Sequence, residues 1–313
     1  MESNPLITVI TASYYSQYLY DAIDSVLAQT YPNIEYIVTD DGTKDFDVQT
    51  VTQYIEQNKK TNISSCHVIH HTENLGTVKN LNFAMKASHG EYIFHLAADD
   101  LYADAHVLSK WLRDMQCNNS LLSTACFCKY NKDFSEDLFI FPFEYQKQLL
   151  RSRNNKKIFH ELAMGNFIYG CSTARSRECL NMFGFYDEKY HLVEDYPYAL
   201  NYVRQGGRID LFDHVCIKYR QGGSSSSDRF GVVYENDSDQ IFQNEILPYV
   251  KWKFLYRLIY FQWKKNQKTG FWENARTKSK IQKLFLYLKN PIQIGISLQR
   301  SFQKLCCMYR MRR

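Results

Sequence analysis

The run Leu6–Thr11 (LITVIT) is apolar or β-branched throughout and reads as a short buried strand. The stretch YLYDAIDSVLAQ follows, with Leu19, Ala22, Ile23, Val26 and Leu27 at helical spacing and Pro32 beyond its end. Ile34–Thr39 is the next strand, a helix fits near Asp47–Gln57, and His67–His70 reads as a third strand. TVKNLNFAMKAS is helical, with Val78, Leu81 and Met85 on one face and Gly90 as its stop; Tyr92–Leu96 is a fourth strand. Strands that alternate with helices predict a mainly parallel sheet covered on both faces. Such sheets take their ligands beyond the carboxyl ends of the strands. Asp40-Asp41 follow the second strand and Asp99-Asp100 the fourth, so two carboxylate pairs are expected at that edge.

After residue 105 the pattern is mixed. A helix over Ala105–Met115 leads to a strand over Leu122–Cys128. A loop-rich passage reaches GNFIYGCSTARS, and NMFGFYDEKYHLVEDYPYALNYVRQGG ends in a helix closed by Gly206-Gly207. IDLFDHVCIKYR is strand-like and QGGSSSSD is a loop. From about Asn244, Trp, Tyr, Leu, Lys and Arg interleave in helical segments broken near Gly270 and Pro291.

At 313 residues the chain holds one large or two modest domains. Its 24 Tyr and 20 Phe serve a core, or sites that stack on flat ligands. The nine Cys include no C-x-x-C pair, and they read as reduced thiols of a cytoplasmic protein, most of them core filler. Polar residues follow Met1 directly, so no leader peptide is expected, and no run of 18 apolar residues predicts a spanning helix. Charge is unevenly placed. Residues 251–313 hold sixteen Lys and Arg against Glu273, a net of +15; with +5 for the whole chain, residues 1–250 carry −10. A basic tail on an acidic body predicts an anionic surface as partner.

Taken in order, several motifs resemble the family 2 glycosyltransferases, over roughly Pro5 to Ser227. They are TASYYS (Thr11–Ser16), AIDSVLAQTYPNIE (Ala22–Glu35), DDGT after the second strand, Glu73–Gly76, GEYIFHLAADD (Gly90–Asp100), Glu194-Asp195 before a helix, and Tyr219–Ser226. Two positions depart from the family pattern: Ala97 stands where an acid is frequent, and Tyr15 where Asn is usual. The resemblance implies the GT-A fold: an α/β, Rossmann-like, mainly parallel sheet flanked by helices, here with a basic helical C-terminal extension. It divides the chain into a donor-binding half (1–105), an acceptor-binding and catalytic half (106–243) and a basic amphipathic helical region (244–313).

A nucleotide sugar presents a base, a ribose, a diphosphate and a sugar. The resemblance places Tyr14 for stacking and Asp41 for accepting the base N–H, with Thr11, Ser13, Asp40, Lys79 and Ala98 around the nucleotide. A leaving diphosphate needs its charge neutralised, and an oxygen-only site suits Mg²⁺ or Mn²⁺. Asp99 is the expected ligand, with Asp100 beside it. Asp195 corresponds to the general base, with Glu194 its neighbour, and one base without a carboxylate nucleophile inverts the anomeric centre. Each feature also has a plainer structural interpretation. Asp-Gly makes turns, acids cap and begin helices, and a helical Lys such as Lys79 is usually solvated. His70 and His71, adjacent on a strand, point to opposite faces and do not chelate one ion.

The expected function is thus inverting, metal-dependent transfer from a UDP-sugar to a hydroxyl of a glycan or lipid-linked acceptor in cell-surface polysaccharide synthesis. The expected location is the cytoplasmic face of a membrane. A nucleotidyltransferase is the first alternative; it would want a glycine-rich basic loop after the first strand, which TASYYSQ does not supply. A non-catalytic membrane-binding module that kept the fold is the second. In the tail, Trp252, Phe254, Leu255, Leu258 and Ile259 form an apolar stripe among Lys251, Lys253, Arg257, Lys264 and Lys265. It either packs on the body or lies in a membrane interface, where each basic residue gains about 1 kcal/mol near anionic lipid. No nucleic-acid recognition motif accompanies the charge, and no nucleic acid is expected as partner.

Overall fold

A computed structural model describes residues 4–222, 231–254, 256–258 and 260. The first alternation forms as the pattern demands: β1 (Ile7–Ser13), α1 (Leu19–Leu27), β2 (Ile34–Asp40), α2 (Val48–Asn58), β3 (Ile63–His70), α3 (Thr77–Ala87) and β4 (Tyr92–Ala97). β2 is buried along its whole length, as a strand covered on both faces must be. α1 buries its predicted stripe, and the Asp47 side chain caps α2 by accepting from the Gln49 and Thr50 amides.

The chain continues through β5 (Leu101–Tyr102), α4 (Val107–Asn118), β6 (Leu122–Tyr130), β7 (Asp137–Phe141), α5 (Glu144–Arg151) and α6 (Asn155–Leu162). A 3₁₀ turn at Gly170–Ser172 leads into β8 (Thr173–Ser176), α7 (Arg177–Phe183), α8 (Asp195–Arg204), β9 (Ile209–Arg220) and α9 (Gly231–Ile241).

The nine strands form one sheet in the order β3-β2-β1-β4-β8-β6-β9-β5, with β7 also paired to β6. β1 to β4 pair in parallel, as does β6 with β9. β8 enters antiparallel between β4 and β6, and β5 and β7 are antiparallel as well. The sheet is therefore mixed, and the parallel expectation holds for its first half. Trp111 sits at the core, edge-on to Phe94 and stacked on Phe212, with its indole N–H on Ser123 Oγ (2.9 Å).

Register positions the site. Ile7 lies opposite both Ile34 and Tyr92, so the strands end level: Ser13 faces Asp40 and Ala12 faces Ala97. Asp40-Asp41 and Asp99-Asp100 thus emerge on either side of Ser13-Tyr14.

After α9 a π-helical turn (Phe242–Ile246) and a 3₁₀ turn (Leu247–Tyr249) return the chain onto α8. Glu245 accepts from Lys189 Nζ (2.8 Å) and Arg204 Nη2 (2.5 Å), and Tyr260 stacks on Phe242. The root of the tail has one side chain against the body and two exposed aromatic rings. Tyr256 is buried with its hydroxyl 3.0 Å from His160 Nδ1, while Trp252 and Phe254 are each 75% exposed. Leu255, Ile259 and residues 261–313 lie outside the described residues, as does most of the serine-rich loop. Among the described residues no helix is long and apolar enough to cross a membrane.

Candidate active site

The carboxyl edge of β1 and β2 is built from two interlocked segments. Asp41 is buried and accepts from the Leu75 amide (2.8 Å), the Gly76 amide (3.0 Å) and Asn74 Nδ2 (3.0 Å). Burial raises its pKa, and the amide bonds oppose that shift. A side chain at Gly42 would meet the Glu73 backbone at 2.5 Å, so the DDGT and ENLG motifs close on each other. The Asp41 amide bonds the Ser13 carbonyl (2.9 Å), which pins the end of β1. Tyr14 is half-buried, its ring edge-on to Tyr15 at 4.8 Å. Tyr15 adopts φ +50°, a conformation Asn tolerates better than Tyr. Here its amide bonds Thr43 Oγ1 and its hydroxyl accepts from the Lys44 amide, so the exposed ring braces the DDGT turn.

Thr11 and Asp40, both expected near the nucleotide, are tied into the fold. Thr11 is fully buried, with its hydroxyl 3.0 Å from that of Tyr36. Asp40 is fully buried too; it accepts from the Thr43 amide (2.8 Å) and hydroxyl (2.7 Å) and lies 3.0 Å from His70 Nδ1. Neither side chain reaches the cleft surface. Lys79 is exposed on the first turn of α3, where its charge acts on Glu188.

At the end of β4, Asp99 is half-buried and accepts from Ser16 Oγ (2.7 Å). The Ala98 amide bonds the Ala12 carbonyl (3.0 Å), which continues the strand register into this turn. Asp100 is 2% exposed; its Oδ1 accepts from the Arg220 amide (2.9 Å) and its Oδ2 has no partner among the described residues. Burial pushes its pKa up to about 8.

Arg220 was not singled out by sequence reading, although it sits in the quoted Tyr219–Ser226 motif. Its guanidinium lies between the Tyr18 and Phe134 rings, 3.6 and 4.0 Å from their centroids. It donates to the carbonyls of Asp99 (2.9 Å) and Lys132 (2.6 Å) and to Asp21 (3.3 Å). It therefore fixes the turn that carries the carboxylate pair.

Glu194 and Asp195 lie at the start of α8. Asp195 Oδ2 accepts from the Gly170 amide (2.8 Å) and Oδ1 from Asn166 Nδ2 (3.0 Å). A helix N-terminus favours anions, yet burial wins and both carboxyls sit above the usual range; for Glu194 the adjacent Asp195 charge adds to it. The charge of each residue bears on the protonation of the other. A Cβ at Gly170 would stand 2.5 Å from Glu194 Oε1, so a side chain there requires that carboxyl to swing aside.

Cys171 follows Gly170, and after burial the charges that raise its thiol pKa come from Asp100, Asp195 and Glu194. Asp100, Glu194 and Asp195, far apart in sequence, thus lie within charge range of one thiol. No group of three or more His, Cys, Asp or Glu forms a ready-made metal cluster among the described residues. His70 braces Asp40, as its strand position allows.

The family model described as Glycosyl transferase family 2 matches residues 8–176, more than half of the chain. An uncharacterized glycosyltransferase of Rickettsia typhi is 29% identical over 221 residues, 69% of this chain and 64% of that one. This chain thus spans less than two thirds of that relative. An uncharacterized glycosyltransferase of Haemophilus influenzae is 23% identical over 257 residues, 80% of this chain and 76% of that one. Among solved structures, S. aureus TarS 1-349 in complex with UDP-GlcNAc aligns at a TM-score of 0.55 and 16% identity, covering 82% of this chain and 70% of that one. The mannosyltransferase PcManGT from Pyrobaculum calidifontis, in complex with GDP-Man and Mn2+, aligns at 0.58 and 16%, covering 96% and 85%. At these identities the likeness is one of fold.

Proposed function

Because the chain belongs to glycosyl transferase family 2, we propose that it moves a sugar from a nucleotide diphosphate donor, a UDP-sugar first among candidates, to an acceptor hydroxyl with inversion. The carrying observation is that Asp195 is held by Asn166 and by the Gly170 amide on the turn that carries Cys171, whose thiol also lies within charge range of the buried Asp100. Donor chemistry and proton removal have to occur side by side.

Tyr14 and Ser13, at the end of β1, and Asp41 form the nucleotide side of this reading. The metal side fits a hard cation: its donors are all oxygen, and the buried Asp100 Oδ2 lacks a partner among the described residues. Asp99 would hold Mg²⁺ or Mn²⁺, with Asp100 behind it. Such an ion, when bound, neutralises charge on the departing diphosphate. Asp195 takes the acceptor hydroxyl proton as that oxygen attacks the anomeric carbon from the face opposite the diphosphate. Asn166 and the Gly170 amide orient the carboxylate by one hydrogen bond to each oxygen. Burial and the neighbouring charge raise Glu194 further than Asp195, so Asp195 is the member that ionises first. The acceptor class we favour is a glycan or lipid-linked hydroxyl in cell-surface polysaccharide synthesis. The basic tail would hold the enzyme on the anionic inner face of the membrane.

A thermal-shift panel of nucleotides and nucleotide sugars, with and without Mn²⁺, tests the donor assignment. Ligand at 100 times Kd raises stability by about 2.7 kcal/mol, an easily read shift. UDP with metal is expected to give it. No shift with any nucleotide would refute the donor reading and favour a non-catalytic module.

A further inference from the structure

Asp237 lies on α9, beyond the span that the family model matches. It is 2% exposed. Its Oδ2 accepts from three consecutive backbone amides, His191 (2.9 Å), Leu192 (2.7 Å) and Val193 (3.0 Å), and its Oδ1 lies 3.1 Å from the His191 amide. A carboxylate held by successive N–H groups makes strong, charge-assisted bonds. The next two residues are Glu194 and Asp195.

The same short segment reaches the donor edge. The His191 carbonyl accepts from the Val78 amide (3.2 Å) at the start of α3. The His191 ring packs so closely on Gly76 that a Cβ there would stand 2.6 Å from it. Gly76 in turn donates to Asp41. One carboxylate on α9 therefore secures the strip of backbone that joins the Asp41 cradle to the proposed base. α9 is itself fastened through the following turn, where Glu245 pairs with Lys189 and Arg204.

We propose that Asp237 is a positioning residue for transfer: from α9 it fixes the His191–Val193 backbone and thereby aims the Asp195 carboxylate relative to the donor cradle. The inference rests on Asp195 being the base. A residue that merely stitched α9 to the body would influence folding and leave the titration of the catalytic pair unchanged. Asp237 stands close enough for its charge to act on Glu194, together with Asp195 beside it and Arg175 from β8; Cys171 on the 3₁₀ turn faces the same pair.

The test compares wild type, Asp237→Asn and Asp237→Ala in Mn²⁺, measuring nucleotide released from UDP-GlcNAc, UDP-glucose and GDP-mannose with water as acceptor. Misplacing a catalytic group by about 1 Å costs on the order of 10²-fold. The Ala variant should lose roughly that in kcat, with donor KM little changed, and the Asn variant should lose less. Removing the negative charge in Asp237→Asn should also move the acid limb of the pH–rate profile to lower pH. Wild-type kcat in Asp237→Ala, or an acid limb unmoved in Asp237→Asn, overturns the proposal. If the Ala variant does not fold, the Asn variant decides alone. If wild type releases nucleotide from no donor, the transferase reading fails. The clamp is then judged by hydrogen exchange: unchanged protection of the His191, Leu192 and Val193 amides in Asp237→Asn overturns it, and faster exchange upholds it.

Discussion

Asp195→Asn separates the proposed base from the proposed donor site. In the wild type, the Gly170 amide and Asn166 Nδ2 both donate to this carboxylate. An asparagine supplies one oxygen and one NH₂, so one of those donors would meet another donor. Asn166 cannot flip to compensate without giving up its Oδ1 bond to the Ile168 amide (3.0 Å). One lost hydrogen bond costs about 1 kcal/mol. The cost of burying an ionisable carboxyl disappears at the same time, so folding stability should change little. Transfer should change greatly: losing a general base typically costs 10²–10⁴-fold, about 3–5 kcal/mol in the barrier. The assay is nucleotide release at saturating donor, paired with nucleotide-induced thermal shift. A second signature comes from pH. The base must be ionised, and burial holds its pKa above the usual carboxylate range, so wild-type activity should fall as pH drops through that raised value. The limb should vanish in Asp195→Asn. Turnover within tenfold of wild type would refute the assignment, as would loss of nucleotide binding together with activity.

Other positions give independent tests. Gly76→Ala places a methyl 2.6 Å from the His191 ring at φ +87°, so Tm should fall clearly and nucleotide affinity with it; an unchanged Tm would show the cradle to be looser than described. Glu194→Gln addresses linkage. The folded Glu194 pKa lies above its unfolded value, so the unfolded chain ionises first and stability is lost as pH rises from the usual carboxylate range through the folded value. Tm of the Gln variant should decline less over that window, and an identical slope would assign the decline elsewhere. Deleting residues 261–313 should leave a folded, nucleotide-binding protein, because Tyr256 and Tyr260 remain on the body. It should release the enzyme from anionic vesicles, with full-length binding weakening as salt rises; full-length protein that ignores such vesicles at low salt would remove the tail as an anchor.

The first half of the sheet was legible because β1 to β4 and their helices carry strong, regular periodicity. β8 was not. It is four residues long, buried throughout, and includes Arg175, which lies against the Tyr186 and Tyr198 rings. Neither alternation nor composition marks such a strand. β7, α5 and α6 fell in the passage read as loop-rich, since their apolar positions are too few for a period to show. The pairs Asp99-Asp100 and Glu194-Asp195 could be placed at element ends from sequence, and the structure has them there. Thr11 and Asp40 stand beside such ends and turn inward, a distinction that only register reveals. Asp237 lies in the polar stretch YENDSDQ and reads as a solvated helix face. Its role depends on a loop more than forty residues earlier, which no local pattern records.

Gly170 constrains how relatives of this protein can diverge. Any side chain there enters the space of the Glu194 carboxyl, and the backbone N–H at that position already serves Asp195. A lineage that replaced this glycine would have to swing the Glu194 carboxyl aside, while the N–H to Asp195 would remain. By contrast Glu144, Arg151 and Asp213 pair with one another at the surface, where substitutions can accumulate singly. Drift should therefore rewrite the exposed face of α5 more readily than the turn ahead of β8, where a new side chain must displace the Glu194 carboxyl.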